Sequence, residues 1–180
     1  PDGTITVDLV RYEDFSTMQW LDGILGDQLE VAAAGYPHRI TLDPVAGVAT
    51  DQRISSARCE FPRIDPCLEG AAHRYIWMAA HSTEASARRG IQDRVIRLDA
   101  QTGAEDWVDL GDQTFCSEPV LAAREGGGTW VMSLAYDVQQ DASFVAVIDG
   151  DRPEDGPLAK VWFEQPIPYT FHGSFLPAGG

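Results

Sequence analysis

Arg94-Val-Ile-Arg-Leu-Asp99-Ala-Gln-Thr-Gly103 reads as an apolar strand that ends in Leu-Asp, crosses a short polar turn and meets a glycine before the next strand. The pattern occurs twice more, in Arg39-Ile-Thr-Leu-Asp43 before Gly47 and in Phe144-Val-Ala-Val-Ile-Asp149 before Gly150. The three aspartates are 56 and 50 positions apart. Aspartate accepts hydrogen bonds from the amides of its own turn, and glycine supplies the positive φ that closes a hairpin. Each copy is therefore predicted to be a β-hairpin, and the spacing predicts one such hairpin per propeller blade.

The segments between the copies fit that reading. Thr4 to Tyr12 alternates Ile5, Val7 and Leu9 with their neighbours, as a half-buried strand does. Tyr75 to Ala80, Thr129 to Tyr136 and Leu158 to Phe163 are short apolar runs bounded by turn residues, and Arg124-Glu-Gly-Gly-Gly128 is a turn between strands. Phe15 to Ala34 has only a weak helical spacing (Phe15, Met18, Leu21, Leu25, Leu29), interrupted by Gly23 and Gly26, and is expected to be a loop with one helical turn. The fold class is all-β. Three to four blades leave end faces and strand edges open, and the chain begins at Pro1 without a methionine, so it is expected to be part of a larger domain.

Composition narrows the function. The chain has 180 residues, 44% of them hydrophobic and 23% charged, enough for a sizeable core. Thirteen Lys and Arg against twenty-eight Asp and Glu give a formal charge of -15, and so negative a surface repels phosphate backbones, which argues against nucleic acid as a partner. There is no apolar run of the roughly eighteen residues that a membrane-spanning helix needs, and no signal-peptide pattern. Three cysteines, Cys59, Cys67 and Cys116, without CxxC spacing, point away from a disulfide scaffold or zinc site and towards a reducing, cytoplasmic compartment.

Among the four histidines, His38, His73 and His81 sit at a strand start, a turn and the start of a polar loop, and read as surface or turn residues. His172 differs. It lies in Ile167-Pro-Tyr-Thr-Phe-His172-Gly-Ser-Phe, an aromatic stretch with little water expected around the ring. A buried neutral imidazole is either a satisfied core group or a metal ligand whose other nitrogen leans on a carboxylate. Glu60, before Phe61-Pro62-Arg63, and Glu118, before Pro119-Val120, have apolar neighbours and are expected to face inward. There each needs a donor or a cation, and Arg58, Arg63 and Arg124 are the ion-pair candidates.

Taken in order, Glu60-Phe-Pro-Arg-Ile-Asp-Pro, His73-Arg-Tyr75, Ser117-Glu-Pro-Val120, Trp130-Val-Met-Ser-Leu134 and Pro168-Tyr-Thr-Phe-His172-Gly-Ser-Phe175 resemble the carotenoid cleavage oxygenase family, from about Gly3 to Pro177. That family includes stilbene-cleaving dioxygenases and a retinoid isomerohydrolase. The resemblance implies a seven-bladed β-propeller with an Fe(II) held on its axis by four histidines, three of them hydrogen-bonded to glutamates. It makes His172 the last iron ligand and Glu60 and Glu118 two of the supporting carboxylates. The other ligands would lie upstream, and the family has no ligand in the His73 segment. The 180 residues would then be the C-terminal portion of one propeller domain, inactive alone, with the N-terminal portion supplied by the same or a second chain. Tyr169, Phe171, Phe175 and Trp162 become candidate walls of a substrate tunnel, although aromatic residues commonly serve as plain core. The implied reaction is cleavage of a conjugated C=C bond of a carotenoid or apocarotenoid by O2. A lignin-derived stilbene is the close alternative, and a non-catalytic propeller that has lost its iron is the reading from another class. Family members draw lipophilic substrates from membranes, so peripheral membrane contact accompanies the cytoplasmic expectation.

Overall fold

The computed structural model describes residues 3–23, 32 and 35–177. Among them, twelve strands form three antiparallel sheets. The first holds β1 (Ile5–Arg11), β2 (Tyr36–Asp43) and β3 (Val48–Arg53), with helix α1 (Ser16–Gly23) between β1 and β2. The second runs β4 (Cys59–Arg63), β5 (Tyr75–Ala80), β6 (Arg94–Asp99) and β7 (Glu105–Val108), with α2 (Glu84–Arg89) between β5 and β6. In the third, β8 (Thr114–Cys116) and β9 (Val120–Ala123) pair with successive stretches of β10 (Thr129–Asp137), which is followed outward by β11 (Ala142–Asp149) and β12 (Pro157–Trp162).

The three repeats are the three outer hairpins, β2–β3, β6–β7 and β11–β12. Each aspartate caps its own turn. Asp43 Oδ1 accepts the amides of Val45 and Ala46, Asp99 Oδ1 those of Gln101 and Thr102, and Asp149 Oδ1 that of Asp151. Gly47 and Gly103 take the expected positive φ, 65° and 75°. Gly150 does not. The third connection is longer and contains a short 3-10 turn, Pro153–Asp155, so the reversal falls on Gly156 at φ 75°. Gly150 is small for another reason, since a Cβ there would stand 2.7 Å from the Thr129 carbonyl.

Aligning the hairpins makes β1, β5 and β10 equivalent and puts β4, and β8 with β9, one position further in. No described strand takes that innermost position beside β1. The middle sheet is packed on both faces. Along β5, Ile76, Met78 and Ala80 join Ala57, Cys59, Ile96 and Leu98 in the core shared with the first sheet. Trp77 and Ala79 point the other way, into a core with Val108 of β7 and with Leu121, Val131, Phe144 and Ile148 of the third sheet. This is why β5 reads as a continuous apolar run rather than an alternating one. The alternation in β1 misleads, because its apolar residues are not the buried ones. Asp8 and Val10 face the second sheet, whereas Ile5 and Val7 lie on the opposite face and are 52% and 40% exposed.

Two further expectations change. The stretch from Phe15 carries an eight-residue helix, α1, rather than a loop with one turn, and Gly23 ends it; positions 24–31, 33 and 34 of that reading lie outside the described residues. His81 is not a surface residue. It follows β5 at 5% exposure, its Nδ1 sits 3.2 Å from Ser86 Oγ, and Ser86 in turn donates to Asp93. Thr83 caps α2 by accepting the Ser86 amide, which carries Ser86 under the ring.

Burial pushes the His81 pKa down from 6.5 to about 4, with Arg58 adding to the effect and Asp93 opposing it. Between those pH values the unfolded chain binds a proton that the folded one does not, so stability falls as pH drops from about 6.5 to about 4 and this contribution is absent above 6.5. The effect is on the order of 3 kcal/mol at its limit. Denaturant titrations of His81→Gln should show a flatter limb over that window than the parent, and parallel limbs would refute the assignment.

Candidate functional site

Both inner strands are interrupted at a glutamate. In β4 the register passes from Glu60↔Ala79 to Arg63↔Trp77, so one residue is extra, and Phe61 takes φ 58° to absorb it. Pro62, which has no amide to offer the ladder, suits the interruption. A one-residue bulge reverses the alternation beyond it, so Glu60 and Arg63 share a face. Between β8 and β9 the pairing passes from Cys116↔Ala135 to Val120↔Met132, again with one residue extra, and Glu118 lies in the break.

These two breaks border a cleft of about 600 Å³ lined by Tyr12, Met18, Phe61, Glu60, Arg63, Glu118, Phe171 and His172, among others. The Glu118 side chain is 5% exposed and saturated with donors. Arg63 grips it with a fork, Nε to Oε1 at 2.8 Å and Nη2 to Oε2 at 3.0 Å, and the Gly173 amide donates to Oε2 at 3.0 Å. His172 Nδ1 stands 3.3 Å from Oε1, and the edge of its ring meets Phe61 with centroids 5.5 Å apart. Burial works to raise the Glu118 pKa, but the hydrogen bonds from Arg63, Gly173 and His172 outweigh it and hold the carboxyl below its usual range. Glu60 is the opposite case. Burial raises its pKa, and its only hydrogen bond described is from the Phe61 amide, at 3.1 Å. Among the described residues no arginine pairs with it, so the ion-pair reading fits Glu118 alone.

His172 is not buried: its side chain is 73% exposed. The aromatic residues around it cover one edge of the ring and leave the rest open at the cleft. With Nδ1 directed at a carboxylate, the neutral ring carries its proton there and presents Nε2 as the free lone pair, the state in which histidine binds a metal. Among the described residues no three His, Cys, Asp or Glu side chains are grouped to hold an ion, and His172 stands as a single oriented imidazole. The four aromatic candidates separate. Phe171 lines the cleft with His172. Tyr169 packs behind Phe171 and donates its hydroxyl to Gln92 at 3.1 Å. Phe175 lines a neighbouring cleft with Val120 and Leu121, and Trp162 packs at a tilt on Phe144 in the outer part of the third sheet. Tyr12, Met18 and Gln92, which the sequence does not mark as site residues, also line the wall. His73 joins Asp8 at 2.6 Å and His38 joins Asp51 at 2.6 Å, both away from the cleft.

Three antiparallel sheets stacked as successive blades, with polar residues gathered at breaks in the inner strands of the second and third, define part of a β-propeller. The chain belongs to the family described as retinal pigment epithelial membrane protein (RPE65), which matches residues 1–177. It is 26% identical over 180 residues to apocarotenoid-15,15'-oxygenase of Synechocystis, covering 97% of this chain and 36% of that protein. It is 27% identical over 163 residues to lignostilbene-alpha,beta-dioxygenase isozyme III of Sphingomonas paucimobilis, covering 82% and 33%. The crystal structure of cobalt-substituted Synechocystis ACO superimposes with a TM-score of 0.80 at 26% identity, over 97% of this chain and 37% of that one. The chain thus spans about a third of the length of these relatives.

The contrast between the two glutamates is measurable. Carboxyl-resolved NMR over a pH series should find Glu60 titrating above the ordinary glutamate range and Glu118 below it; a reversed order would contradict the donor sets described. The sign for stability follows: Glu118 stabilises the fold above its unfolded pKa and loses that contribution as pH falls through its lower folded value.

Proposed function

We propose that this chain, 1–180, is the C-terminal portion of a single-domain non-haem Fe(II) dioxygenase that cleaves a conjugated C=C bond of a carotenoid or apocarotenoid with O2. The observation that carries the reading is the His172 imidazole held at Nδ1 by a buried carboxylate at the rim of an apolar cleft. The relatives are named for apocarotenoid, carotenoid and lignostilbene oxygenases, and one related structure is described as cobalt-substituted. The reaction balances without a reductant, since the C=C and O–O bonds break and each carbon leaves as a carbonyl holding one oxygen atom.

Bound Fe(II) would supply the centre at which O2 is activated. His172 would offer it Nε2, while Glu118 holds the ring and offsets part of the metal's charge. Glu60 lines the same cleft with no cation paired to it among the described residues, and would hold the imidazole of a further ligand from the rest of the propeller. Phe61 and Phe171 keep water from the rim and give an apolar polyene a matching surface. A divalent ion needs three or more fixed protein ligands, so the chain by itself would be inactive. The exposed ring of His172, the exposed Ile5 and Val7 and the position beside β1 that no described strand fills all suit completion by an N-terminal portion, in the same or a second chain.

The stilbene alternative rests on the lignostilbene relative. Lys160, the sole lysine of this chain, donates to the Leu110 carbonyl from the outer strand β12 and lies off the cleft, whereas a phenol-bearing side chain, Tyr12, lines it, so the two substrates stay side by side. Three unpaired cysteines support a cytoplasmic setting, and no described helix is long and apolar enough to cross a membrane.

Metal analysis and oxygen uptake with an apocarotenoid on the complete protein test this reading. His172→Ala should lose bound iron and turnover, whereas His73→Ala should keep its iron. Equal iron in the two variants would remove His172 from the site.

A further inference from the structure

Arg63 stands where three pieces of chain meet. It leaves the bulged end of β4 in the second sheet, its guanidinium holds both oxygens of Glu118 in the break between β8 and β9 of the third, and Nη2 also lies 3.4 Å from the carbonyl of Gly173, the residue after His172. Gly173 returns its amide to the same carboxylate at 3.0 Å. The result is a closed ring of hydrogen bonds from Arg63 to Glu118 to Gly173 and back, with His172 attached at Oε1.

A lone carboxylate with one imidazole partner can rotate about its last torsion, and the ring would move with it. The fork removes that freedom, because two parallel N–H···O bonds fix the plane of the carboxylate as well as its distance. A lysine in the same place would supply the charge but not the plane. Glu118 is thus left with one orientation in which Oε1 can meet the His172 Nδ1 proton, and the Gly173 contacts hold the backbone beside that ring.

We propose that Arg63 is a positioning residue for His172: by fixing the plane of Glu118 across the seam between two blades, it sets the tautomer and direction of the imidazole. The consequence for metal rests on the reading of His172 as a ligand. The consequence for the tautomer does not.

Two readouts on the complete protein keep these apart. In the metal-free protein, ring nitrogen shifts of His172 should show the Nδ1-protonated tautomer, and Arg63→Gln should reduce its share. Chelator competition should show that Arg63→Gln weakens metal binding about 10-fold, comparable to Glu118→Gln. Arg63→Lys should restore part of that loss. The double variant Arg63→Gln/Glu118→Gln should bind no more weakly than Glu118→Gln alone, because both act through one contact. Unchanged ring shifts in Arg63→Gln would overturn the proposal, as would losses that multiply in the double variant. Should Arg63→Gln fail to fold, Arg63→Lys decides: intermediate affinity supports the fork, and full affinity rejects it. Metal retained by His172→Ala would reject the ligand reading, while the ring shifts would still test Arg63.

Discussion

A carboxylate at 5% exposure stays ionised only if donors replace the water it has lost, and Glu118 draws its donors from β4, from the segment after His172 and from His172 itself. That requirement orders much of the surrounding structure. It pins the terminal segment to the third sheet, closes the seam between the second and third sheets at their inner edge, and fixes which imidazole nitrogen carries the proton. Removing one donor would leave the others holding a buried charge with too few partners, a more costly state than never having built the cluster.

Glu60 shows the alternative. It occupies the matching break one sheet earlier, with the same one-residue insertion and a similar apolar setting, yet no cation reaches it among the described residues. The bulge puts Arg63 on the same face as Glu60, but the guanidinium turns to Glu118 across the seam. One arginine therefore decides which of two similar carboxylates is satisfied within the chain and which is left to take a partner. An unsatisfied half-buried carboxylate costs stability above its raised pKa, and such a cost persists where function uses the group.

The sequence made the outer hairpins readable, because Asp43, Asp99 and Asp149 are used by their own turns and so declare themselves locally. The inner strands were legible only in part. Glu60 and Glu118 stand out by their apolar neighbours, but whether an arginine reaches them depends on a bulge that reverses the strand's alternation, and only Pro62 hints at it. His81 was misread because its partners, Ser86 and Asp93, arrive through a short helix whose capping residue, Thr83, is also a common loop residue. Ile5 and Val7 misled because alternation tells which residues share a face but not which face is covered.

That last point bears on the site as much as on the fold. The face of β1 away from the second sheet, the free inner edge of the first sheet and the open side of the His172 ring are three places where groups suited to partners lack them among the described residues. In a propeller each blade is covered by the next, so an exposed apolar face and an unpaired inner edge belong together at the end of an arc. A ligand that faces the axis would be exposed for the same reason. On this view the exposure of His172 is compatible with the proposed ligand role: the ring is already oriented by Glu118 and Arg63, and its open side is where the rest of the propeller would stand.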